Sequence, residues 1–157
     1  MLAVAPEAHP RRLAGDAAAQ VPMPVQIVDG SADRLPAAVR SFDAAVVCLV
    51  LCTVPDPAAA LAKMFRVLRP GGQVRFLEHV QDAAPARRLQ RVATLRPRLN
   101  GGCHTGRDTA TAIKYAGFVA TRLDWLTAAD AGMPFPAAPQ ILGTAVRPAH
   151  PRTASTR

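Results

Sequence analysis

Two short runs set chemistry-bearing side chains beside one another, Glu78-His79 and Cys103-His104. A neutral imidazole near pH 7 can take a proton from a thiol or a hydroxyl, and His104 is the candidate for that role. Glu78 and His79 are candidates for facing a substrate from a strand end; the plainer reading is that they solvate that end. Cys103 and His104 follow Gly101-Gly102, in a loop that could bring them to the edge of a bound molecule. One Cys-His pair falls short of the four ligands of a structural zinc site, so no metal is expected. Cys48 and Cys52 lie in or just after an apolar run and read as small core residues. Three cysteines, an odd number, give no disulfide framework. His9, beside Pro10, and His150, near the end of the chain, read as surface residues.

The elements that must position these groups run without a gap from Ser41 to His79. Phe42-Asp43 leads into Ala44–Leu51, an apolar run of strand length, which predicts an internal parallel strand covered on both faces and the most buried of the sheet. Asp56 can cap a new helix, Pro57 fits its first turn, and Leu61, Met64, Phe65 and Leu68 recur at i, i+3, i+4 and i+7. Arg66 and Arg69 are expected in the last turn, opposing the helix dipole, with Pro70-Gly71-Gly72 ending it before the strand Gln73–His79. A right-handed β-α-β unit follows, with Val74–His79 beside Ala44–Leu51. Glu78 and His79 then come at the carboxyl ends of the strands, where open α/β sheets bind ligands.

Leu35-Pro36, Ser41-Phe42-Asp43, Leu49-Val50-Leu51 and above all Arg66-Val67-Leu68-Arg69-Pro70-Gly71-Gly72 resemble the second half of the class I S-adenosylmethionine-dependent methyltransferases, in their type 11 branch. The resemblance runs roughly from Leu2 to Pro148. Glu78-His79 and Gly101-Gly102-Cys103-His104 are similar to the branch that includes the animal methyltransferase-like thiol methyltransferases. The resemblance implies an α/β, Rossmann-like doubly wound sheet, mainly parallel with an antiparallel last strand, of which the first strand is missing. It implies a partial methyltransferase domain over 1–148 and a disordered basic tail over 149–157. S-adenosylmethionine is the implied cofactor, and the implied partner is a small-molecule acceptor methylated on O, N, S or C.

The same resemblance assigns a cofactor site residue by residue. Ala5 stands where the family has an acidic residue accepting from the ribose hydroxyls, and Glu7 is two residues further on. Ser31-Ala32 match the family's adenine-contacting Asp-Ala. Leu49, Val50 and Leu51 form the wall after the fourth strand. The family's Gly-x-Gly-x-Gly loop does not occur in the sequence. The chain is therefore expected to bind S-adenosylmethionine weakly or not at all by itself. It opens inside a strand ending, Leu2–Ala5, so a natural start upstream of Met1 is expected. The alternative reading is a non-catalytic remnant that binds a partner, or pairs as a dimer, to complete the sheet.

Around this unit the sequence predicts a helix over Glu7 to Ala19 with Leu13 as its main apolar contact, weakened by Gly15. A strand over Val25–Val28 ends at Asp29-Gly30. An Arg-rich helical segment spans 83–99, and a helix from Asp108 to Tyr115 is closed by Gly117. A strand from Phe118 to Leu126 precedes the last one, Gln140–Val146, expected antiparallel at the far side of the sheet. With 157 residues, half of them hydrophobic, the chain is one domain with a sizeable core. The formal charge of +8 comes almost entirely from Arg. Arg87, Arg88, Arg91, Arg96, Arg98 and Arg107 cluster without an acidic residue among them, and Arg147, Arg152 and Arg157 crowd the end. One Trp, one Tyr and no nucleic-acid-binding motif make this a solvated basic face and argue against nucleic acid as a partner. No apolar stretch is long enough to span a bilayer, and a cytoplasmic location is expected.

Overall fold

The computed structural model of the protein describes residues 1–80, 102–126, 130 and 139–149. Two sheets carry the fold. In the first, β1 (Leu2–Ala5) and β2 (Gln26–Asp29) pair in parallel across the crossover helix α1 (Ala8–Ala18), with Ala5 opposite Asp29. In the second, β3 (Phe42–Cys48), β4 (Leu68–His79), β5 (Val119–Leu126) and β6 (Gln140–Val146) lie in the order β3-β4-β6-β5. β3 and β4 are parallel, while β6 runs antiparallel to both of its neighbours. β1 and β3 are not bonded to one another, and each presents an edge with no partner strand among the described residues.

Local chemistry accounts for α2 (Pro57–Val67), which crosses from β3 to β4. The Asp56 carboxylate accepts the Ala59 amide at 3.0 Å, Pro57 opens the first turn, and Ala60, Leu61, Met64 and Val67 form the buried stripe. Ala60, Leu61 and Met64 pack with Val74 and Phe76 of β4 and Ile141 and Ala145 of β6. Each such burial contributes about 1.5–3 kcal/mol for a Leu- or Phe-sized side chain. A shorter helix, α3 (Thr109–Tyr115), is capped by Asp108 and ends before Gly117 as its sequence predicts. Phe118 then meets Phe65 of α2 edge to face, with ring centroids 5.1 Å apart.

Several expectations are corrected by the fold. The run Ala44–Leu51 is neither wholly strand nor covered on both faces: β3 stops at Cys48, Val47 alone is buried within it, and Val46 is 77% exposed. Val46 and Cys48 share the exposed face of β3 opposite the buried Val47, and the most buried strands are β4 and β6, which have neighbours on both sides. Cys48 is accordingly exposed, although Cys52 is buried. β6 is antiparallel as expected, but lies between β4 and β5 instead of at the far side. α2 ends at Val67, so Arg69 is not in its last turn; it bonds Asp43 at 2.6 Å from the start of β4. Gly71 takes a φ of 82°, which suits a residue without Cβ, and the Gly72 carbonyl accepts the Arg147 amide. Leu13 is 54% exposed and makes no core contact of α1.

Two arginines read as solvated are structural. Arg147 donates to the carbonyls of Phe65 and Leu68 and stacks 4.4 Å over the Phe65 ring. Arg107 donates to the carbonyls of Leu51 and Val54 at 2.7 and 2.6 Å. The expected Arg-rich helix over 83–99 and residues 150–157 of the expected tail lie outside the described residues.

Candidate functional site

β1 and β2 run parallel, as do β3 and β4, and the sharpest feature at the carboxyl end of the second pair is the turn after β3. Leu49 adopts a φ of 55°, left-handed for a bulky residue, at a cost of about 1–2 kcal/mol. Its amide donates to the Leu77 carbonyl at 2.8 Å, and this last ladder bond holds it in place. The next three amides turn toward one side chain. Glu78 Oε1 accepts from Val50 and Leu51, each at 2.9 Å, and Oε2 accepts from Cys52 at 3.1 Å. Arg107 holds the other side of the turn through the carbonyls of Leu51 and Val54.

Glu78 is wholly buried, so it does not solvate the strand end, and its carboxylate is engaged inside the protein. Its inward direction follows from the pleat, since Val74, Phe76 and Glu78 alternate along β4 onto one buried face. His79, the next residue, points the other way and meets two thiols. Its Nδ1 lies 3.1 Å from Cys103 Sγ and 3.7 Å from Cys52 Sγ, and these ligand atoms are all within 4.8 Å of one another. Burial pushes both thiols up and holds the imidazole below its ordinary value. The far ring nitrogen faces the Gln140 side chain at 3.3 Å.

Sequence reasoning missed this triad. Its three members come from the turn after β3, the end of β4 and the loop before α3. Only the pairing of β3 with β4 places the first two side by side. His104 belongs to the same loop, and its amide donates to the Cys52 carbonyl at 2.7 Å, which ties the two cysteine segments together. Its imidazole is not among the grouped ligand atoms.

The remaining expected site residues surround the ends of β1 and β2. Pro6, Asp29, Gly30, Ser31 and Arg34 line an open pocket there. Ser31 Oγ is buried without a completed hydrogen bond in the protein, close enough to Asp33 to lower that carboxyl's pKa. A buried hydroxyl with acceptor capacity to spare suits a polar ligand. Ala5 supplies no carboxylate at its strand end. Instead, Arg11 covers it, donating to the carbonyls of Ala5 and Pro6 at 2.8 and 2.7 Å and to Asp29 Oδ1 at 2.8 Å. Glu7 is exposed at the amino end of α1 and makes no side-chain cap. Ala32 packs against the main core, and Leu49, Val50 and Leu51 form the turn described above.

Comparison with known proteins agrees with this layout. Residues 1–76 match the family described as "Methyltransferase domain". The chain is 36% identical over 113 residues to the thiol S-methyltransferase TMT1B of Rattus norvegicus, an alignment covering 68% of this chain and 44% of that protein. It is 44% identical over 61 residues to the demethylmenaquinone methyltransferase of Staphylococcus epidermidis, covering 39% of this chain and 25% of that one. The chain thus spans less than half the length of these relatives. Among solved structures, a SAM-dependent methyltransferase from Methanosarcina mazei superposes with a TM-score of 0.74 at 17% identity, over 95% of this chain and 82% of that one. An S-adenosylmethionine dependent methyltransferase from Mesorhizobium loti gives 0.68 at 22% identity, over 93% and 79%.

Proposed function

We propose that this chain, which belongs to the class I S-adenosylmethionine-dependent methyltransferases, serves the transfer of a methyl group from S-adenosylmethionine to a small-molecule acceptor, for which a thiol is the best-supported class. The observation that carries this reading is the turn at Leu49–Cys52, fixed by Glu78 at the carboxyl end of β3, together with the buried Ser31 hydroxyl that lines the pocket after β2. When bound, the cofactor supplies an electrophilic methyl carbon. The chain's residues have a positioning task, because methyl transfer depends mainly on aligning the acceptor with that carbon.

Ser31 and Ala32 are the residues for the adenine side, and Leu49 to Leu51 give the wall against which the adenosyl group rests. Ser31 fits this role through its buried hydroxyl in the wall of the open pocket. Ala5 offers no acceptor for the ribose, which argues for weak binding by these 157 residues. Glu78 holds the wall in shape, and His104 is the group able to take a proton from an incoming thiol. Nothing in the charge pattern calls for nucleic acid. The open edges of β1 and β3 leave room for a strand from a second copy or partner. No helix among the described residues is long and apolar enough to cross a membrane; the cytoplasmic location we propose rests on the three free cysteines.

The test is transfer itself. Purified protein is incubated with S-adenosylmethionine labelled in the methyl group and a panel of small thiols, phenols and amines, and products are read by mass spectrometry. Labelled thioether is expected, lost on replacing Ser31 with a bulky residue. A folded protein that labels no acceptor at saturating cofactor contradicts the proposal.

A further inference from the structure

We infer that Cys52, His79 and Cys103 form a binding site for a zinc-class divalent cation, a Cys2His centre at the carboxyl edge of the sheet. The donor set is two thiols and one imidazole, the combination preferred by borderline-soft metals. Around a tetrahedral zinc, Zn–S of about 2.3 Å and Zn–N of about 2.0 Å place a sulfur and a nitrogen ligand about 3.6 Å apart. The two observed Sγ to Nδ1 separations, 3.1 and 3.7 Å, bracket that spacing, and all three donor atoms lie within 4.8 Å of one another.

The surroundings are built for such a centre. Cys52 is fully buried and Cys103 is 8% exposed, and both sulfurs lie against the His79 ring. The backbone already joins their segments through the His104 amide and the Cys52 carbonyl, and Thr109 Oγ1 donates to the His79 carbonyl at 3.3 Å. With Nδ1 on the metal, His79 carries its proton on Nε2. Gln140, buried and 3.3 Å from that nitrogen, accepts it when its amide oxygen turns to the ring. Glu78 is the nearest carboxylate along the chain, but its oxygens are held by three amides. Three protein donors leave one tetrahedral position for water or an incoming anionic ligand, the arrangement of zinc sites that take part in chemistry. The site stands on these contacts alone and does not depend on the methyltransferase reading.

Cobalt(II) tests it, because thiolate ligands give an intense charge-transfer band and tetrahedral geometry gives strong visible bands. Under a non-coordinating reductant, the wild-type protein is expected to bind one cobalt ion with a two-thiolate band that zinc displaces. Cys52→Ser and Cys103→Ser should each remove about half of the charge-transfer intensity, and Cys48→Ser should leave it unchanged. No thiolate band at saturating cobalt, or a band lost with Cys48→Ser and kept in the other two variants, overturns the proposal. Should the buried variants fail to fold, zinc X-ray absorption on the wild-type protein decides: two sulfur scatterers at about 2.3 Å are expected, and a shell of nitrogen and oxygen only refutes the site.

Discussion

Replacing Glu78 probes the hinge of the whole site. The side chain is wholly buried and satisfies three consecutive amides, two through Oε1 at 2.9 Å and one through Oε2 at 3.1 Å. In Glu78→Gln the amide oxygen can keep Val50 and Leu51, but the NH2 group is set against the Cys52 N–H, donor facing donor. One buried amide left unpaired costs about 1–3 kcal/mol, and two bonds weakened from charged to neutral cost roughly another 1 kcal/mol each. The expected loss is about 3–5 kcal/mol, with Glu78→Ala worse because all three amides lose their acceptor. The total is comparable to the margin of about 5–15 kcal/mol that keeps a domain folded, so the Ala variant is expected to be largely unfolded. Urea denaturation followed by circular dichroism measures the Gln variant. A change within about 0.5 kcal/mol, the range of an unremarkable surface substitution, would refute the bracing role.

Arg107→Ala removes two bonds to the carbonyls of Leu51 and Val54 and should cost about 1.5–3 kcal/mol in the same assay, with Arg107→Lys recovering part of it. Gly143→Ala would place a Cβ 2.4 Å from Phe76 Cζ and 2.6 Å from the Arg122 carbonyl; the ring can swing but the backbone cannot, so a loss of about 1–3 kcal/mol is expected on thermal unfolding. In metal-free protein, burial lowers the His79 pKa below 6.5, so the unfolded chain takes up this proton first as the pH falls. His79 therefore makes no pH-dependent demand above 6.5. Stability should decline as the pH drops from there toward the folded value, a slope that His79→Gln should flatten.

The unit from β3 through α2 to β4 was legible because its signals are local: a strand-length apolar run, Asp56 before Pro57, a helical stripe, and Pro70-Gly71-Gly72. What the sequence hid depends on neighbours. Val46 and Cys48 lie on the face of β3 opposite the buried Val47, and whether a face is covered is decided by what packs on it, which no composition of β3 itself reveals. The left-handed Leu49 cuts short an apolar run that reads as continuous strand. Glu78 was within reach, since the alternation Val74, Phe76, Glu78 puts it in the buried file of β4, yet a charged side chain at a strand end suggests solvent. Arg107 and the thiol pair escaped for another reason: their partners are more than twenty residues away, and tertiary pairing alone brings them together. For the candidate cofactor residues, what the sequence lacks is also plain in the fold, where Arg11 occupies the strand end at Ala5.

The most direct test of the central claim, that the edge between Ser31 and the Leu49–Cys52 turn receives the adenosyl group, is a two-dimensional amide NMR titration of the 157-residue protein with S-adenosylhomocysteine. With no ribose carboxylate at Ala5, binding weaker by about 10- to 100-fold is expected, so the titration extends to millimolar ligand. Saturable shifts of the Gly30, Ser31, Ala32, Val50 and Leu51 amides are predicted, with those of β5 unmoved. Absence of any shift at these amides, or shifts confined to other parts of the sheet, would contradict the account.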